Sequence, residues 1–438
     1  MKIRFFIFSL FVFSPLLSFT QNKVALEQVI GATLEKNYDI LLSKNSASSA
    51  TLDNQYAFGA FLPQINANGS KIWNSSDQSL EFANPANNRE GQAESNNIQG
   101  AVSLNWTLFD GTRMFATRGR VSAIAQQGEL LLKDQMTNTI SLVINTYFNI
   151  VRQKQQLNAI LEQMAVSEER VKLAERKLSV GIGGKPELLQ AKVDLNAQRT
   201  QVLQQEANIA LLKEQMNAQT GMQLPPSYDV ADSIPVNLDL KLEELSDNIE
   251  NSNFTLQASR WNLIIADKQL NERRADLLPV VNLTGAYTYS ETDNTKLLNP
   301  FGSIYFQNQG YNYGLSVSLP ILNGFNNRRL IEQSKVNVNR QQLVYDQQKL
   351  NININLKNAF TNYENAKKIL IVEEENILLA KENVNIALES FKRGIINFIE
   401  LRTAQQSLSD AYNRLIAARF NAKTSETELL RLKGGLLK

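Results

Sequence analysis

Two spacings alternate along this chain, and each sequence of spacings occurs twice. From Leu26 the apolar residues fall at three- and four-residue steps, the mark of a helix with one packing face, until Leu62-Pro63. Proline fixes its own φ and pushes the residue before it out of the helical region, so the run ends there. The same pattern runs from Leu242 to Leu278-Pro279. Each run predicts a helix of roughly 35 residues. Immediately afterwards the period drops to two. Val281, Leu283, Gly285, Tyr287 and Tyr289 alternate with Asn282, Thr284, Ala286, Thr288 and Ser290. Beyond a loop, Tyr311, Tyr313, Leu315, Val317, Leu319 and Ile321 alternate with polar or small residues. In the first half Val102, Leu104, Trp106 and Leu108 do the same, and a stretch from about Gln64 to Trp73 alternates weakly. The pattern therefore predicts one β-hairpin in each half, about 64–109 and 280–322. Four strands of this length suit an outer-membrane span, and tyrosines near their ends suit the membrane–water interface, as do Trp73 and Trp106. A half-buried soluble sheet alternates in the same way.

After each hairpin the helical period returns for a long distance. It holds from about Thr112 to Val180, which at 1.5 Å per residue reaches about 100 Å. Glycines interrupt it at Gly181–Gly184, and a returning helix runs to about Gln219. The second half repeats this from about Asn326 to Lys392, breaks at Gly394 and returns to about Leu432. Such runs predict coiled-coil-type packing and not a globule. Tyr147 and Phe360 fall at packing positions, and Glu373-Glu374-Glu375 reads as a solvated face.

The halves are in register. Leu26-Glu27, Asn37 and Leu62-Pro63 recur 216 residues later as Leu242-Glu243, Asn253 and Leu278-Pro279. Beyond the hairpin the displacement becomes 213: Asp110-Gly111 matches Asn323-Gly324, Gly181 matches Gly394, and Gly221 matches Gly434. One residue inserted in a helix rotates everything downstream by about 100°, so packed helices hold their register while hairpin loops absorb the change. The chain divides into a first repeat at 21–221, a proline-containing linker at 222–240 and a second repeat at 241–438.

Composition then narrows the function. Residues 1–20 read as a secretory signal, with Lys2 and Arg4 before an apolar stretch from Phe5 to Leu17. The 45 basic and 43 acidic residues are interspersed, which argues against a nucleic-acid groove. Cysteine and histidine are both absent. That removes disulfides, thiolate metal sites, acylated cysteine anchors, imidazole ligands and His-dependent nucleophile systems; no cofactor and no catalytic residue is expected. Four strands cannot close a membrane barrel, and open edges in lipid leave backbone groups unpaired at several kcal/mol each. Several chains must share one barrel, and the sequence alone leaves two or three copies open. A secreted trimeric coiled-coil scaffold or adhesin would account for the helices and secretion but not for the paired hairpins.

The duplicated order of helix, Leu-Pro, hairpin, Asp/Asn-Gly, long helix, glycine break and returning helix resembles the TolC-like outer membrane efflux protein family across essentially the whole mature chain. The resemblance implies a mainly α fold with a membrane β-barrel portion: a homotrimer with a shared twelve-stranded barrel in outer-membrane lipid and a periplasmic α-barrel of long antiparallel helices. It implies an exit duct for a tripartite efflux or type I secretion system, docked on a periplasmic adaptor (membrane fusion) protein and an inner-membrane pump of the RND, ABC or MFS type. It places the adaptor contact at the hairpin tips, here Val180, Gly181, Ile182, Gly183 and Leu188, with Gly394, Ile395 and Leu401. It also implies that Glu400 and Glu187, each six residues after a break glycine, line the periplasmic aperture. Two solvated helix-face glutamates would read the same way. The chain departs from the best-known members in two places: Thr403 stands where a second acidic residue would extend the ring, and Ile396 where an arginine would help lock it.

Overall fold

The computed structural model describes residues 23–225, 227–299 and 301–437, so the expected signal segment lies outside the described residues. The helices are α1 (Leu26–Lys36), α2 (Tyr38–Tyr56), α3 (Arg113–Ser179), α4 (Lys185–Gln219), α5 (Leu242–Ser246), α6 (Ile249–Ser252), α7 (Phe254–Ala275), α8 (Asn326–Lys392) and α9 (Phe398–Lys433). The strands are β1 (Gln64–Leu80), β2 (Arg89–Asp110), β3 (Val280–Lys296) and β4 (Tyr305–Ser318). Helices α3 and α8 are both 67 residues long, and their ends lie 213 residues apart in sequence. The repeat read from single residues thus governs whole elements. Among the described residues no helix is long and apolar enough to cross a membrane.

The expected opening helix of each half is broken. Asn37 separates α1 from α2; its Oδ1 accepts the amides of Asp39 (3.0 Å) and Ile40 (3.2 Å), while its Nδ2 donates to the carbonyl of Gln219 (2.8 Å). In the second half Asn253 caps α7, accepting from the amide of Leu256 at 2.9 Å. The repeated asparagines are N-caps, whose side-chain oxygens satisfy amides that a helix start leaves unpaired.

The chain forms two compact units. One gathers Leu42–Asp134 and Asn248–Asn353 and holds the sheet. Its four strands lie in the order β1-β2-β3-β4, all antiparallel. They are longer than expected, from 14 to 22 residues, whereas about ten cross a bilayer. Register sorts the side chains by face. The row Ala67, Val102, Tyr287, Tyr311 lies on one side, and the adjacent row Asn66, Ser103, Ala286, Asn312 on the other. The apolar face runs from Val281 to Tyr289 on β3, about 27 Å of strand, which at the roughly 40° tilt of barrel strands rises about 20 Å, most of the height of an outer-membrane apolar band. The alternation read at Leu108 is interrupted, because a register shift falls between Thr107 and Phe109 and brings Phe109 opposite Val281. Below the sheet Gly111 and Thr112, then Gly324 and Phe325, form consecutive positive-φ pairs where a strand turns into a helix. Asp110 caps α3, its Oδ1 accepting from the amide of Met114 at 3.1 Å.

The other unit gathers Gln135–Asp247 and Ile354–Lys438 with the N-terminal stretch to Leu41. The residues between the repeats form a packed strap and not a loose linker. Tyr228, Val230 and Ile234 bury themselves against Ile140, Val143, Tyr147 and Ile150 of α3. The Tyr147 hydroxyl donates to the carbonyl of Val24 and accepts from the amide of Ala231, both at 3.0 Å. Tyr363, one turn beyond Phe360, donates to the carbonyl of Asn237 at 2.8 Å. A fully buried phenol keeps a partner in this way instead of carrying an unpaired polar group.

Candidate functional site

The two hairpins α3–α4 and α8–α9 turn at glycines for a backbone reason. Gly181 and Gly394 have φ of 80° and 74°, and the amides around them close the preceding helices. Gly181 donates to Leu178 and Ile182 to Lys177; Gly394 donates to Phe391 and Ile395 to Ser390. This is the left-handed C-terminal cap that glycine adopts without the penalty a Cβ brings. The apolar residues flanking these glycines are thrown outward. Val180, Ile182 and Ile395 are 67%, 78% and 70% exposed, an apolar surface at the turns.

The other tip residues read from the sequence divide differently. Gly183 is tucked against the end of α3, where an added Cβ would come within 2.7 Å of the Lys177 side chain. Leu401 is fully buried, and Leu188 packs with Phe398 against Val171, Ala191 and Leu195. These two leucines brace the turns from within, whereas Val180, Ile182 and Ile395 are exposed.

Glu187 and Glu400 occupy the third position of α4 and α9. A carboxylate there is favoured by the positive end of the helix dipole. Glu400 is further held by Asn397, whose Oδ1 accepts the Glu400 amide at 3.0 Å and whose Nδ2 donates to its carboxylate at 2.7 Å. Glu187 follows Gly184, which supplies no capping side chain. The two glutamates match in sequence position but differ in support: Glu400 is exposed and oriented, Glu187 half-buried.

Sequence reasoning missed the polar link between the hairpins. Arg170 of α3 is buried; its Nη2 donates to Asp194 of α4 at 2.7 Å and its Nη1 to Gln405 of α9 at 3.0 Å. Arg402 of α9 reaches the same Asp194 oxygen at 3.5 Å, and Gln190 donates to the other at 2.9 Å. Cation–π stacking ties the same elements, with Arg170 4.9 Å from the Phe398 ring and Lys177 4.0 Å from Phe391. Burial pulls the Arg170 guanidinium down from its usual pKa, against the opposing pull of Asp194. The network lines a cavity of about 530 Å³ between the four helices. A sequence signal did exist. Arg170, Asp194 and Arg402 are charged where the repeat places Asn383, Ser407 and Leu189, so the link is built from departures from two-fold symmetry.

Glu373, read as part of a solvated face, is instead largely covered by Arg414 of α9, whose Nε lies 3.0 and 3.2 Å from its two oxygens. Glu374 pairs with Arg419 at 3.2 Å.

Comparison with known proteins agrees with this architecture. The family model described as outer membrane efflux protein matches twice, over residues 29–221 and 245–435, one match for each repeat. The chain is 23% identical to the protein CyaE of Bordetella pertussis over 354 residues, covering 78% of this chain and 71% of that one. It is 21% identical to the outer membrane protein TolC of Escherichia coli over 341 residues, covering 75% and 67%. The CmeC outer membrane channel of Campylobacter jejuni superposes with a TM-score of 0.75 at 18% identity, over 94% of this chain and 85% of that one. Matched in both halves and in order, the chain belongs to the outer membrane efflux protein family: it is an outer-membrane channel protein with a long periplasmic helical extension, and not an enzyme.

Proposed function

We propose that three copies of this chain form one exit duct, which conducts cargo passively from the periplasm to the exterior when docked on a periplasmic adaptor and an inner-membrane pump. One observation carries this reading: the sheet has an apolar face that rises through most of a membrane's apolar band, and its edge strands β1 and β4 have no partner within the chain among the described residues. Edges of that kind are not stable in lipid, so β4 of one copy pairs with β1 of the next until the ring closes. The family resemblance selects three copies and twelve strands. The exposed Val180, Ile182 and Ile395 offer the adaptor an apolar contact, and Glu400, with Glu187, rings the periplasmic aperture. Cargo identity is set by the pump.

The test combines fractionation with transport. The protein should be recovered from the outer membrane as a detergent-soluble trimer that conducts ions in a planar bilayer. Cells lacking the gene should accumulate dyes or fail to export a secreted polypeptide. The intact gene should restore the defect, and Ile182→Asp with Ile395→Asp should not. A water-soluble monomer without conductance would overturn the reading.

A further inference from the structure

We infer that the barrel end of the duct is blind to charge: its wall meets cargo with neutral hydrogen-bonding groups and closes on an apolar collar at its outer mouth. This rests on the exit-duct reading, which sets the apolar sheet face against lipid and the opposite face against the lumen. From the row of Asn282 and Ser316 up to the row of Ser70 and Gln99, every described residue on the lumen face is an amide, a hydroxyl, alanine or glycine. Charged residues do occur in the strands just above the apolar band. Lys71, Glu291 and Asp293 all lie on the lipid side, at the level where headgroups begin. Between those rows the inner face lacks charge because of how the strands are phased, and not because the sheet has none; Asp110, one row below, is engaged in capping α3.

A wall of amides and hydroxyls replaces part of a solute's hydration without favouring either sign, whereas a ring of carboxylates or ammoniums biases the traffic. Selection by charge is then left to the helical half of the duct. One row above the neutral wall the chemistry changes. Ile72, Asn97, Thr292 and Phe306 form a single row on the lumen face, and its apolar members stand at the two edges, on β1 and β4. Both are about half exposed in the single chain. Closing the ring sets a β4 edge that carries Phe306 against a β1 edge that carries Ile72 at every seam, so each seam adds both apolar side chains to the outer end of the lumen as a collar. Such a collar favours cargo with apolar surface, which gains contacts there that a hydrated ion does not use.

The absence of cysteine makes the test clean, because one introduced thiol is the only one in the chain. Purified Asn312→Cys channels in planar bilayers would be treated with a sulfonate-bearing or a trimethylammonium-bearing methanethiosulfonate. The expected result is a change of about twofold in the cation-to-anion permeability ratio, in opposite directions for the two reagents. Tyr311→Cys, one residue away on the lipid face, should not react. Phe306→Asn should lower efflux of an apolar dye by about threefold while potassium chloride conductance stays within about 20%. A conducting channel in which Asn312→Cys is inert, or responds to one sign only, overturns the inference; so does a Phe306→Asn channel that exports the dye normally. Absence of any conductance from the unsubstituted protein overturns the exit-duct reading instead.

Discussion

The guanidinium of Arg170 and the carboxylate of Asp194 meet at 2.7 Å between α3 and α4, with side chains only 2% and 16% exposed. A charge so far from water is tolerated because its carboxylate partner is in place and both Nη atoms are hydrogen-bonded, although Nε has no partner, and removing one member strands the other. Asp194→Ala is expected to cost about 3 kcal/mol, seen as a lower melting temperature of the detergent-solubilised protein. Arg170→Met combined with Asp194→Ala should recover part of the loss, because no charge is then left buried alone. If the double variant melts below Asp194→Ala, the pair is not the reason for the loss.

At the strand-to-helix junctions the two repeats are matched in backbone but not in surroundings. Gly111 and Gly324 have φ of 72° and 63°. A Cβ on Gly111 would lie 2.4 Å from the Ala275 carbonyl oxygen and 2.7 Å from Leu278 Cβ, whereas one on Gly324 meets nothing within 4 Å. Alanine at 324 should therefore cost about 1 kcal/mol, for conformation alone. Alanine at 111 should cost about 3 kcal/mol or prevent assembly, because neither neighbour is the free end of a flexible side chain. Outer-membrane yield and melting temperature of the two variants decide it; equal behaviour would contradict the packing at Gly111.

Most of the fold was legible because helices in register leave a countable trace. The 213-residue displacement read from Gly181 and Gly394 reappears in both ends of α3 and α8. Asn37 and Asn253 were visible as markers, but their role was not, since a cap is distinguished from a mid-helix residue only by backbone geometry. The strap escaped because its prolines say where a helix cannot run and nothing about what Tyr228 and Val230 pack against. At the hairpin turns the glycines were legible, while the inward packing of Leu188 and Leu401 was not. An apolar residue one turn into a helix serves equally as an outward contact or an inward brace. The Arg170 link joins residues distant in sequence and lies outside the repeat, so no periodic pattern contained it.

The strap is pinned by charge as well as by packing. Lys154 lies 2.5 Å from Asp229 and 2.7 Å from Asp232, and Lys23 reaches Asp232 at 2.5 Å. Hydrogen bonds from Lys154 and Lys23 push the Asp232 carboxyl down to about 2 from its ordinary 3.8. A carboxyl with a lowered folded-state pKa stabilises the fold above the unfolded value and loses that contribution as pH falls towards the folded one. Stability should therefore decline between about pH 4 and pH 2, and Asp232→Asn should be less stable near neutrality but flatter across that window. Thermal unfolding of both proteins against pH measures it. Identical profiles would show that the pairs contribute nothing, as exposed pairs sometimes do.

Glu400 separates a capping role from a channel role, because the two depend on different properties of one side chain. Capping needs an oxygen that accepts from Asn397 Nδ2, now 2.7 Å away, and an amide that reaches Asn397 Oδ1. Ring electrostatics needs the negative charge. Glutamine keeps the oxygen and loses the charge, whereas alanine loses both. Glu400→Gln is expected to lower the melting temperature only slightly, through the lost helix-dipole interaction, while reducing cation preference in a bilayer under a potassium chloride gradient. Glu400→Ala should show the same selectivity change and cost about 1 kcal/mol more at the start of α9. Selectivity retained in Glu400→Gln would mean that the glutamate serves only its helix. The aperture charge would then have to come from elsewhere, with Glu187→Gln the next variant to record.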